Sequence, residues 1–263
     1  MMQAESHIPR AQIARSFGQA AARYDEYAAL QRDVADRLLT QVATTAPAFL
    51  LDLGCGTGYC AAQLGARFSS AHIVAVDLAV PMLRASAVRV DQHVALLAAD
   101  MHALPLRDGH ADCAVSSLAL QWCADPQRVF GELWRVLRPG GQALLSTFGP
   151  ATLCELRSAW SSVDAHVHVN GFPVAEQLER AAAACGFGVH LQRDVIYRHY
   201  GSLRALAREL KGIGAHNMNA QQRHGLTPRA AFARAEEEFS RGLTPQGVPV
   251  TWELFYLDLR KPR

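Results

Sequence analysis

The sequence predicts an α/β protein built on a doubly wound, mostly parallel β-sheet, and three observations carry this prediction. Short apolar runs alternate with segments of helical spacing as far as Phe148. A glycine-rich turn, "LDLGCGTG", follows the first of these runs. After Pro150 the alternation changes, and helical segments surround an extended stretch before a final apolar run. Strands that alternate with helices pack as a parallel sheet between two helical layers.

Seven segments are predicted as strands. In chain order they are "FLLDLGCG", "HIVAVDL", "VALLAAD", "ADCAVSSLAL", "QALLSTF", "VHLQRDVIYRHY" and "PVTWELFYLDLR". The first is a short apolar run that ends in glycines, which is typical of a buried parallel strand.

Helices are predicted between the strands and in two insertions. Ile13 to Leu39 is predicted to be helical, either continuously or with a break near Tyr24 to Tyr27. "TGYCAAQLGARF", "PMLRASAVRV" and "PQRVFGELWRVL" follow, and "RPGG" is expected to stop the last of these. No linker is evident, so we expect one domain over residues 1–263. Its N-terminal lid helices would span about 10–40, and its helical insertions about 151–186 and 201–248.

The composition excludes several classes of protein. Of the 263 residues, 50% are hydrophobic and 19% are charged, and the net charge is +2. These values are ordinary for a globular protein and too balanced for a dedicated nucleic-acid binder. No stretch reaches membrane-spanning length, and the first residues lack the apolar run of a signal peptide. We therefore expect a cytoplasmic monomer with no nucleic-acid or membrane partner.

The cysteines and histidines do not predict a metal site. The six cysteines form no CxxC pair, and most lie in apolar runs, so we interpret them as core thiols in a reducing compartment. The "HVH" at His166 to His168 has an alternation that could bind metal, but no third ligand is apparent. We interpret it as a surface strand or loop and expect no metal.

The glycine-rich turn is the most informative stretch. It places Asp52, Gly54, Gly56 and Gly58 between a strand and a helix, where glycines let the backbone approach a ligand. A dinucleotide-binding GxGxxG motif would need glycine at the next position, which is Tyr59. The spacing therefore disfavours NAD and FAD. It resembles the S-adenosylmethionine loop of the Rossmann-like class I methyltransferases, and a tight turn without a ligand is the alternative.

The resemblance implies how this loop would hold the cofactor. The backbone of Gly54, Cys55 and Gly56 would face its methionyl part, and Asp52 would take its ammonium group, directly or through water. Gln31 could reach the methionyl carboxylate, although a solvated helix face is the alternative for this residue.

Two further strand ends carry candidate nucleoside ligands. Asp77 ends the second strand, about 20 residues after the loop, where a carboxylate accepts hydrogen bonds from ribose hydroxyls; a helix cap is its alternative. Leu78 and Met82 could pack on the adenine or belong to the core. By resemblance, Asp100 would accept from the adenine amino group, and the Met101 amide would donate to a ring nitrogen; a helix or turn cap is the alternative for Asp100.

The fourth strand completes the predicted cofactor site. Ser117 and Leu118 lie at its end and would line the methionyl side. Four consecutive strand ends would then meet one ligand, as expected where open α/β sheets bind ligands at their carboxyl edge.

Three longer stretches resemble a particular family. These are "SFGQAAARYDEYAALQRDVADRLL", "LALQWCADPQRVFGELWRVLRPGG" and "LRALARELKGIGAHN", and together they resemble the malonyl-acyl-carrier-protein O-methyltransferases of biotin synthesis. The resemblance implies a seven-stranded sheet whose last strand is antiparallel. It implies methyl transfer from S-adenosyl-L-methionine, leaving S-adenosyl-L-homocysteine, to the free carboxylate of malonyl-acyl-carrier protein or malonyl-CoA. The methyl ester would then prime synthesis of a pimeloyl thioester.

Two other functions stay open at this stage. One is another small-molecule carboxyl or quinone methyltransferase, and the other is a non-catalytic module that binds a cofactor or a carrier protein. Methylation of a carboxylate would explain why the sequence has neither a GxSxG nor an HExxH motif. A malonyl carboxylate is already ionised at neutral pH and needs no base. It needs a cation, a dry pocket and correct positioning.

Candidate acceptor residues come from the N-terminal segment and the fourth strand. Tyr24 is the candidate lid residue that covers the cofactor and donates to the substrate, and Phe17 would pack beneath the lid. Gln121 and Trp122 would begin the acceptor site, with Trp122 as a wall of the methyl-transfer pocket. Core packing is the alternative for both aromatic residues, Tyr24 and Trp122. The candidate anchors for the substrate carboxylate are Arg15, Arg23 and Arg32, each of which could instead be solvated.

A late helix carries a basic stripe. Arg204, Arg208 and Lys211 follow one another at helical spacing, opposite a leucine face. Such a stripe could dock an acidic carrier protein. The alternative is that these cations complement the helix C-terminus and that glycine ends the helix.

Overall fold

The computed structural model describes residues 8–215 and 228–263. Its strands are β1 (Phe49–Leu53), β2 (His72–Asp77), β3 (Val94–Ala98), β4 (Ala111–Ser117), β5 (Leu137–Phe148), β6 (Gly188–Tyr200) and β7 (Val248–Arg260). They form one sheet in the order β3-β2-β1-β4-β5-β7-β6. Strands β1 to β5 run parallel, and β7 is antiparallel to both of its neighbours. The predicted seven-stranded fold is confirmed.

Helices flank the sheet and cover its carboxyl edge. They are α1 (Arg10–Ala20), α2 (Tyr24–Tyr27), α3 (Ala29–Leu39), α4 (Tyr59–Arg67), α5 (Val80–Ser86), α6 (Pro126–Val136), α7 (Cys154–Ser161), α8 (Ala175–Ala184), α9 (Leu203–Gly212) and α10 (Arg229–Ser240). The N-terminal segment is therefore broken into three helices, as the alternative prediction held. The prediction of helix throughout 151–186 is wrong for residues 162–174, which contain none.

The core lies on both faces of the sheet because the central strands are covered on both sides. In β1, Leu50 packs into one buried cluster, whereas Leu51 and Leu53 pack into the other. Side chains of a strand alternate between faces, so an almost wholly apolar strand needs two apolar layers. The first cluster takes residues from α3, α4, α7, α9 and α10, and the second takes them from α6 and α8.

The transition from α6 to β5 differs from the expected one. Asp125 caps α6 by accepting from the Arg128 amide, at 3.1 Å. The helix ends at Val136, and "RPGG" lies inside the first part of β5. Pro139 explains this, because the residue before a proline is excluded from helical geometry and favours extended backbone. The helix does stop here, but the strand starts five residues before the predicted "QALLSTF".

The end of α9 lies against the N-terminal helices. A Cβ on Gly212 would come within 2.3 Å of the Tyr27 ring, so only glycine permits this contact. Gly214 has a φ of +73° and ends the helix, and its carbonyl accepts from Ser16 Oγ at 2.9 Å. The glycines of "LKGIGA" therefore do more than end a helix. They let α9 approach α1 and α2 closely.

Replacing Gly212 with alanine should disturb this contact. Overpacking of this kind costs about 1–3 kcal/mol, so we expect Gly212→Ala to lower the free energy of unfolding by that amount. Chemical denaturation would measure it. Gly201→Ala is the matched control, because a Cβ there meets nothing within 4 Å. Equal stability of the two variants would contradict the close-approach account.

Candidate active site

A cleft with about 800 Å³ of empty space, counted out to its open mouth, lies at the carboxyl edge of the sheet, beneath α1 and α2. Twelve of the predicted site residues line it: Phe17, Tyr24, Gly54, Gly56, Asp77, Leu78, Met82, Asp100, Met101, Ser117, Leu118 and Trp122. The structure therefore brings the predicted nucleoside, lid and acceptor residues into one place.

A smaller cavity of about 440 Å³ continues from the first, with which it shares Tyr24, Gly54, Gly56 and Ser117. The remaining residues predicted for the methionyl end line it, namely Gln31, Asp52 and Cys55. The two cavities together form an elongated site, and its ends match the predicted nucleoside and methionyl ends.

Asp52 is the most unusual ionisable group of this site. Its side chain is 1% exposed, and within the described residues Oδ2 has no hydrogen-bond partner. Burial raises the pKa of Asp52 to about 7, the charge of Asp77 adds to the effect, and a backbone hydrogen bond from Ala61 opposes it. Burying an unpaired carboxylate is costly, and a cation beside it relieves that cost. The site therefore suits a ligand that brings an ammonium group.

The glycine loop is shaped by contacts that exclude side chains. Gly54 has a φ of +68°, and a Cβ there would lie 2.4 Å from Ala119 Cβ. Gly56 has a φ of +54°, and a Cβ there would meet nothing within 4 Å. The amides of Gly54 and Cys55 donate to Val76 O. The loop thus gives a ligand close access to backbone, but it does not offer these two N–H groups.

Asp77 can serve both as a helix cap and as a ligand for ribose hydroxyls, the two roles considered from the sequence. Its Oδ2 accepts from the Gly56 amide at 2.9 Å, and its Oδ1 accepts from the Ala79 amide at 2.7 Å, just before α5. Burial raises the pKa of Asp77, and these amide bonds counteract the rise. A carboxylate has about four lone-pair positions, so acceptor capacity remains for ribose hydroxyls.

Asp100 lies among partners that the sequence did not reveal. Its Oδ1 accepts from the His102 amide and pairs with His102 Nδ1 at 2.7 Å, and its Oδ2 pairs with Arg10 at 2.5 Å. Desolvation opposes ionisation, but the His102 bonds and the Arg10 charge lower the pKa of Asp100 overall. His102 stands two residues after the aspartate and could have been suspected as its partner. The sequence gives no comparable indication that Arg10 is a partner of Asp100.

The lid residue Tyr24 stays a neutral phenol. Desolvation raises its pKa, and the negative charges of Asp77 and Asp25 raise it further. A neutral phenol can donate a hydrogen bond to an anionic ligand. Close by, Phe17 of α1 meets Trp122 edge to face, with ring centroids 5.2 Å apart. This contact joins the lid to the predicted acceptor wall.

A polar cluster fastens α2 to the glycine loop. Thr57 Oγ1 donates to Asp25 at 2.8 Å, and Arg89 donates both to Asp25, at 2.5 Å, and to Thr57. Because Asp25 is the neighbour of Tyr24, these bonds hold the lid tyrosine over the loop.

The backbone after β4 is strained at Leu118, which lines the cofactor cavity just before Gln121 and Trp122. Leu118 has a φ of +51°, a conformation that non-glycine residues rarely adopt and that clusters at functional sites. Gln121 Nε2 donates to Leu118 O at 2.7 Å, and Gln121 Oε1 accepts from Thr147 at 3.2 Å. Gln121 is therefore held firmly beside Trp122.

A third cavity, of about 500 Å³, lies on the other side of Trp122. Gln121 and Trp122 border it, so the structure places both predicted acceptor residues here. The rest of the lining is mostly apolar and comes from β5, β7, α7, α9 and the 162–174 segment: Phe148, Leu153, Leu156, His168, Val169, Asn170, Phe172, Leu210, Ile213, Ala215 and Trp252. We call this space the acceptor compartment.

Two predicted carboxylate anchors are not in these cavities. Arg15 is exposed and lines none of the three. Arg23 is exposed, and its guanidinium binds Glu26 and Tyr27. Neither side chain reaches the predicted site, so the structure corrects their assignment as anchors. Arg32 lines the methionyl-end cavity and donates to Asp25 O.

The basic stripe on α9 is exposed, as its amphipathic pattern indicated. Arg204, Arg208 and Lys211 line one broad groove with Arg229 of α10. Arg204 lies over the Phe232 ring, 5.3 Å from its centroid. The opposite face of α9 meets the acceptor compartment, which places the stripe and the compartment on two sides of one helix.

Neither metal ligation nor membrane insertion finds support in the described part of the chain. No group of three or more His, Cys, Asp or Glu side chains there could hold a metal ion. No helix among residues 8–215 and 228–263 is long and apolar enough to cross a membrane.

Comparison with known proteins decides the family. A model of the methyltransferase domain matches residues 51–145. The malonyl-[acyl-carrier protein] O-methyltransferase of Dechloromonas aromatica is 40% identical over 253 residues, which cover 96% of this chain and 95% of that protein. The chain belongs to the malonyl-[acyl-carrier protein] O-methyltransferase family. The predicted family, fold and cofactor, S-adenosylmethionine, are confirmed.

Longer relatives and distant folds complete the comparison. The biotin biosynthesis bifunctional protein BioHC of Cellvibrio japonicus is 41% identical over 97% of this chain and 51% of that protein. The chain thus spans about half the length of such bifunctional relatives. The geranyl diphosphate C-methyltransferase of Streptomyces coelicolor A3(2), solved with S-adenosyl-L-homocysteine, shares the fold with a TM-score of 0.52, at 15% identity over 86% of this chain and 78% of that one.

The raised pKa of Asp52 predicts how cofactor binding depends on pH. An ammonium group binds the ionised carboxylate, so affinity for S-adenosyl-L-homocysteine should fall as the pH drops through about 7. The fall should approach about tenfold per pH unit at lower pH. Calorimetry across this range would measure it.

Asp52→Asn should weaken binding about 10- to 100-fold at pH 8 and flatten the pH dependence, because a charge-assisted bond is lost. Asp91→Asn, on the surface, is the control. A pH profile for Asp52→Asn that matches the natural protein would show that another group titrates.

Proposed function

We propose that this protein transfers a methyl group from S-adenosylmethionine to the free carboxylate of malonyl-acyl-carrier protein. One observation carries the proposal: the elongated cofactor cavity meets the apolar acceptor compartment at Trp122. Family membership supplies the substrate, and the methyl ester would prime pimeloyl thioester synthesis. Malonyl-CoA is the smaller alternative acceptor.

The residues present fit the cofactor. Asp52 offers an unpaired buried oxygen for the ammonium group, and the open space at Gly56 leaves room for the methionyl chain. Asp77 keeps acceptor capacity for the ribose, while Met82, which is buried, and Leu78 border the region of the adenine. The bound cofactor supplies a methyl group on a positively charged sulfonium.

The acceptor chemistry needs no base. The malonyl carboxylate would be the nucleophile towards the methyl group that the cofactor supplies, and because it is already ionised it would need no protein base. Opposite charges would be neutralised in such a transfer, which favours a site that excludes water. Phe17 and Trp122 would help to exclude water between the lid and the compartment. The neutral Tyr24 phenol borders the cofactor cavity and could donate to the carboxylate oxygen that faces the methyl group.

The groove on α9 and α10 supports recognition of the carrier protein. Acyl-carrier proteins are acidic, and the groove presents four exposed cations, Arg204, Arg208, Lys211 and Arg229. Opposite charges speed and orient such encounters. Because α9 separates the groove from the compartment, a carrier bound in the groove would hold its prosthetic arm one helix width from the acceptor compartment.

The direct test is incubation with methyl-labelled cofactor and malonyl-carrier protein. We expect a labelled malonyl methyl ester that base releases as methanol. Turnover on a different carboxylate or on a quinone, without this ester, would instead favour another small-molecule methyltransferase. Cofactor binding without turnover on any acyl thioester would favour a non-catalytic module.

Removing the basic stripe should separate carrier recognition from catalysis. We expect Arg204→Ala, Arg208→Ala and Lys211→Ala together to raise KM for malonyl-carrier protein about tenfold or more and to change KM for malonyl-CoA less, because only the carrier contacts the whole groove. Steady-state kinetics with both substrates would measure this. The control removes three other exposed arginines, Arg84, Arg107 and Arg180. Equal effects on both substrates would argue against docking.

Tyr24→Phe tests the lid hydroxyl. We expect kcat to fall about tenfold, the value of one hydrogen bond to a charged group, while the unfolding transition stays unchanged. Tyr27→Phe is the control, since that hydroxyl accepts from Arg23 on the surface. Full activity of Tyr24→Phe would remove its hydroxyl from the mechanism.

A further inference from the structure

The segment between α7 and α8 crosses one wall of the acceptor compartment. It contains the "HVH" stretch, and His168 of that stretch lines the compartment. His166, two residues earlier, is exposed and lines none of the described cavities at this edge of the sheet. The two histidines of the motif therefore have different surroundings.

His168 differs from the other residues of this compartment in its chemistry. Among the described lining residues it is the one that can carry a positive charge; the others are apolar, aromatic or amide side chains. A carboxylate that leaves water for an apolar cavity needs a cation or several donors. The nearby guanidinium of Arg10 is paired with Asp100 across the cofactor cavity.

The surroundings of His168 hold its ring in one orientation. Its Nε2 pairs with Asp164 Oδ1 at 2.8 Å. Its ring stacks on Trp160, with centroids 4.0 Å apart and planes 9° from parallel. The bond at Nε2 leaves Nδ1 as the other ring nitrogen through which His168 can bind a ligand. A carboxylate behind a histidine stabilises the doubly protonated ring, in which both nitrogens donate.

A carboxylate, Asp164, lies directly beside the ring of His168. Asp164 also accepts from the His166 amide, and although desolvation works against ionisation, the bond from His168 and these contacts lower the pKa of Asp164. The carboxylate is thus present as an anion to support a charge on the ring. On the α7 side, the His168 ring contacts Trp160. The neutral amide of Gln121, from the loop after β4, borders the same compartment.

We propose that His168, held by Asp164 and Trp160, binds the carboxylate of the acceptor and selects a dicarboxylic half-thioester over a neutral acyl group. This inference rests on the proposed function. The carboxylate would lie between His168 and Trp122, and the thioester chain would leave past Leu210 and Ile213 towards the basic groove. Methylation removes the negative charge, so the product loses its ion pair with His168 and leaves more readily.

The test compares His168→Gln with His166→Gln. Glutamine can still donate to Asp164 from near the Nε2 position but carries no charge and has no second nitrogen facing the ligand. We expect His168→Gln to raise KM for malonyl thioester about 10- to 100-fold, the loss of a charge-assisted hydrogen bond. Its affinity for the methyl ester product, measured with S-adenosyl-L-homocysteine bound, should change less than about threefold. His166→Gln should leave both values unchanged.

Several outcomes would overturn the proposal. An unchanged KM in His168→Gln, with the natural protein active, would show that another group holds the carboxylate. Equal loss of affinity for the malonyl thioester and its methyl ester would show a structural role instead of charge recognition. Absence of ester formation by the natural protein would instead overturn the proposed function itself.

Discussion

The site depends on desolvation of charged groups beneath the N-terminal helices. Asp52 is buried, and one of its oxygens has no partner among residues 8–215 and 228–263. The loss of water also raises the pKa of Tyr24. Such an arrangement is unfavourable until a ligand brings opposite charge. The protein therefore has a strong preference for a ligand with an ammonium group at one end, and closure of the lid makes each electrostatic interaction stronger.

Three contacts hold the N-terminal helices over the cofactor cavity. Ser16 bonds to Gly214, Tyr27 packs on Gly212, and Phe17 contacts Trp122, so three consecutive contacts tie the lid to the insertion and to the acceptor wall. The stretch "LKGIGA" matters because its glycines permit the first two contacts. The same helix then exposes its basic side to solvent. One element thereby joins lid closure, the acceptor compartment and the surface proposed for the carrier protein.

The sequence predicted the sheet, and the meeting of its strand-end residues at one edge, because both follow local rules. Apolar runs and glycine spacing locate β1 and its turn, and carboxyl strand ends of a parallel sheet must meet at one edge, which brings Asp77 and Asp100 to Gly54. The antiparallel β7 follows from the family resemblance, whereas the strand order comes from the structure alone. The single-domain boundaries remain a prediction.

The side-chain partners at the two ends of the site were harder to predict. Arg10 reaches Asp100 in the cofactor cavity from a distant part of the chain, which no local pattern indicates. Asp164 pairs with His168 four residues later, but outside a helix, where that spacing predicts no contact. The "HVH" stretch was interpreted as a surface strand or loop. This interpretation fits the exposed His166 but not His168, which lines the acceptor compartment. Leu118 adopts its left-handed backbone because of hydrogen bonds from its amide to Ser146, which no local pattern encodes. Arg15 and Arg23 were misplaced because helical spacing alone does not determine which face of the N-terminal helices turns towards the sheet.

A crystal structure with S-adenosyl-L-homocysteine and a malonyl thioester would test the central claim most directly. The account predicts the nucleoside between Asp77 and Asp100, the amino group at Asp52, and the malonyl carboxylate in the acceptor compartment beside Trp122. The thioester chain should leave the compartment along α9. A malonyl group bound elsewhere, with the acceptor compartment filled by protein side chains, would contradict the account.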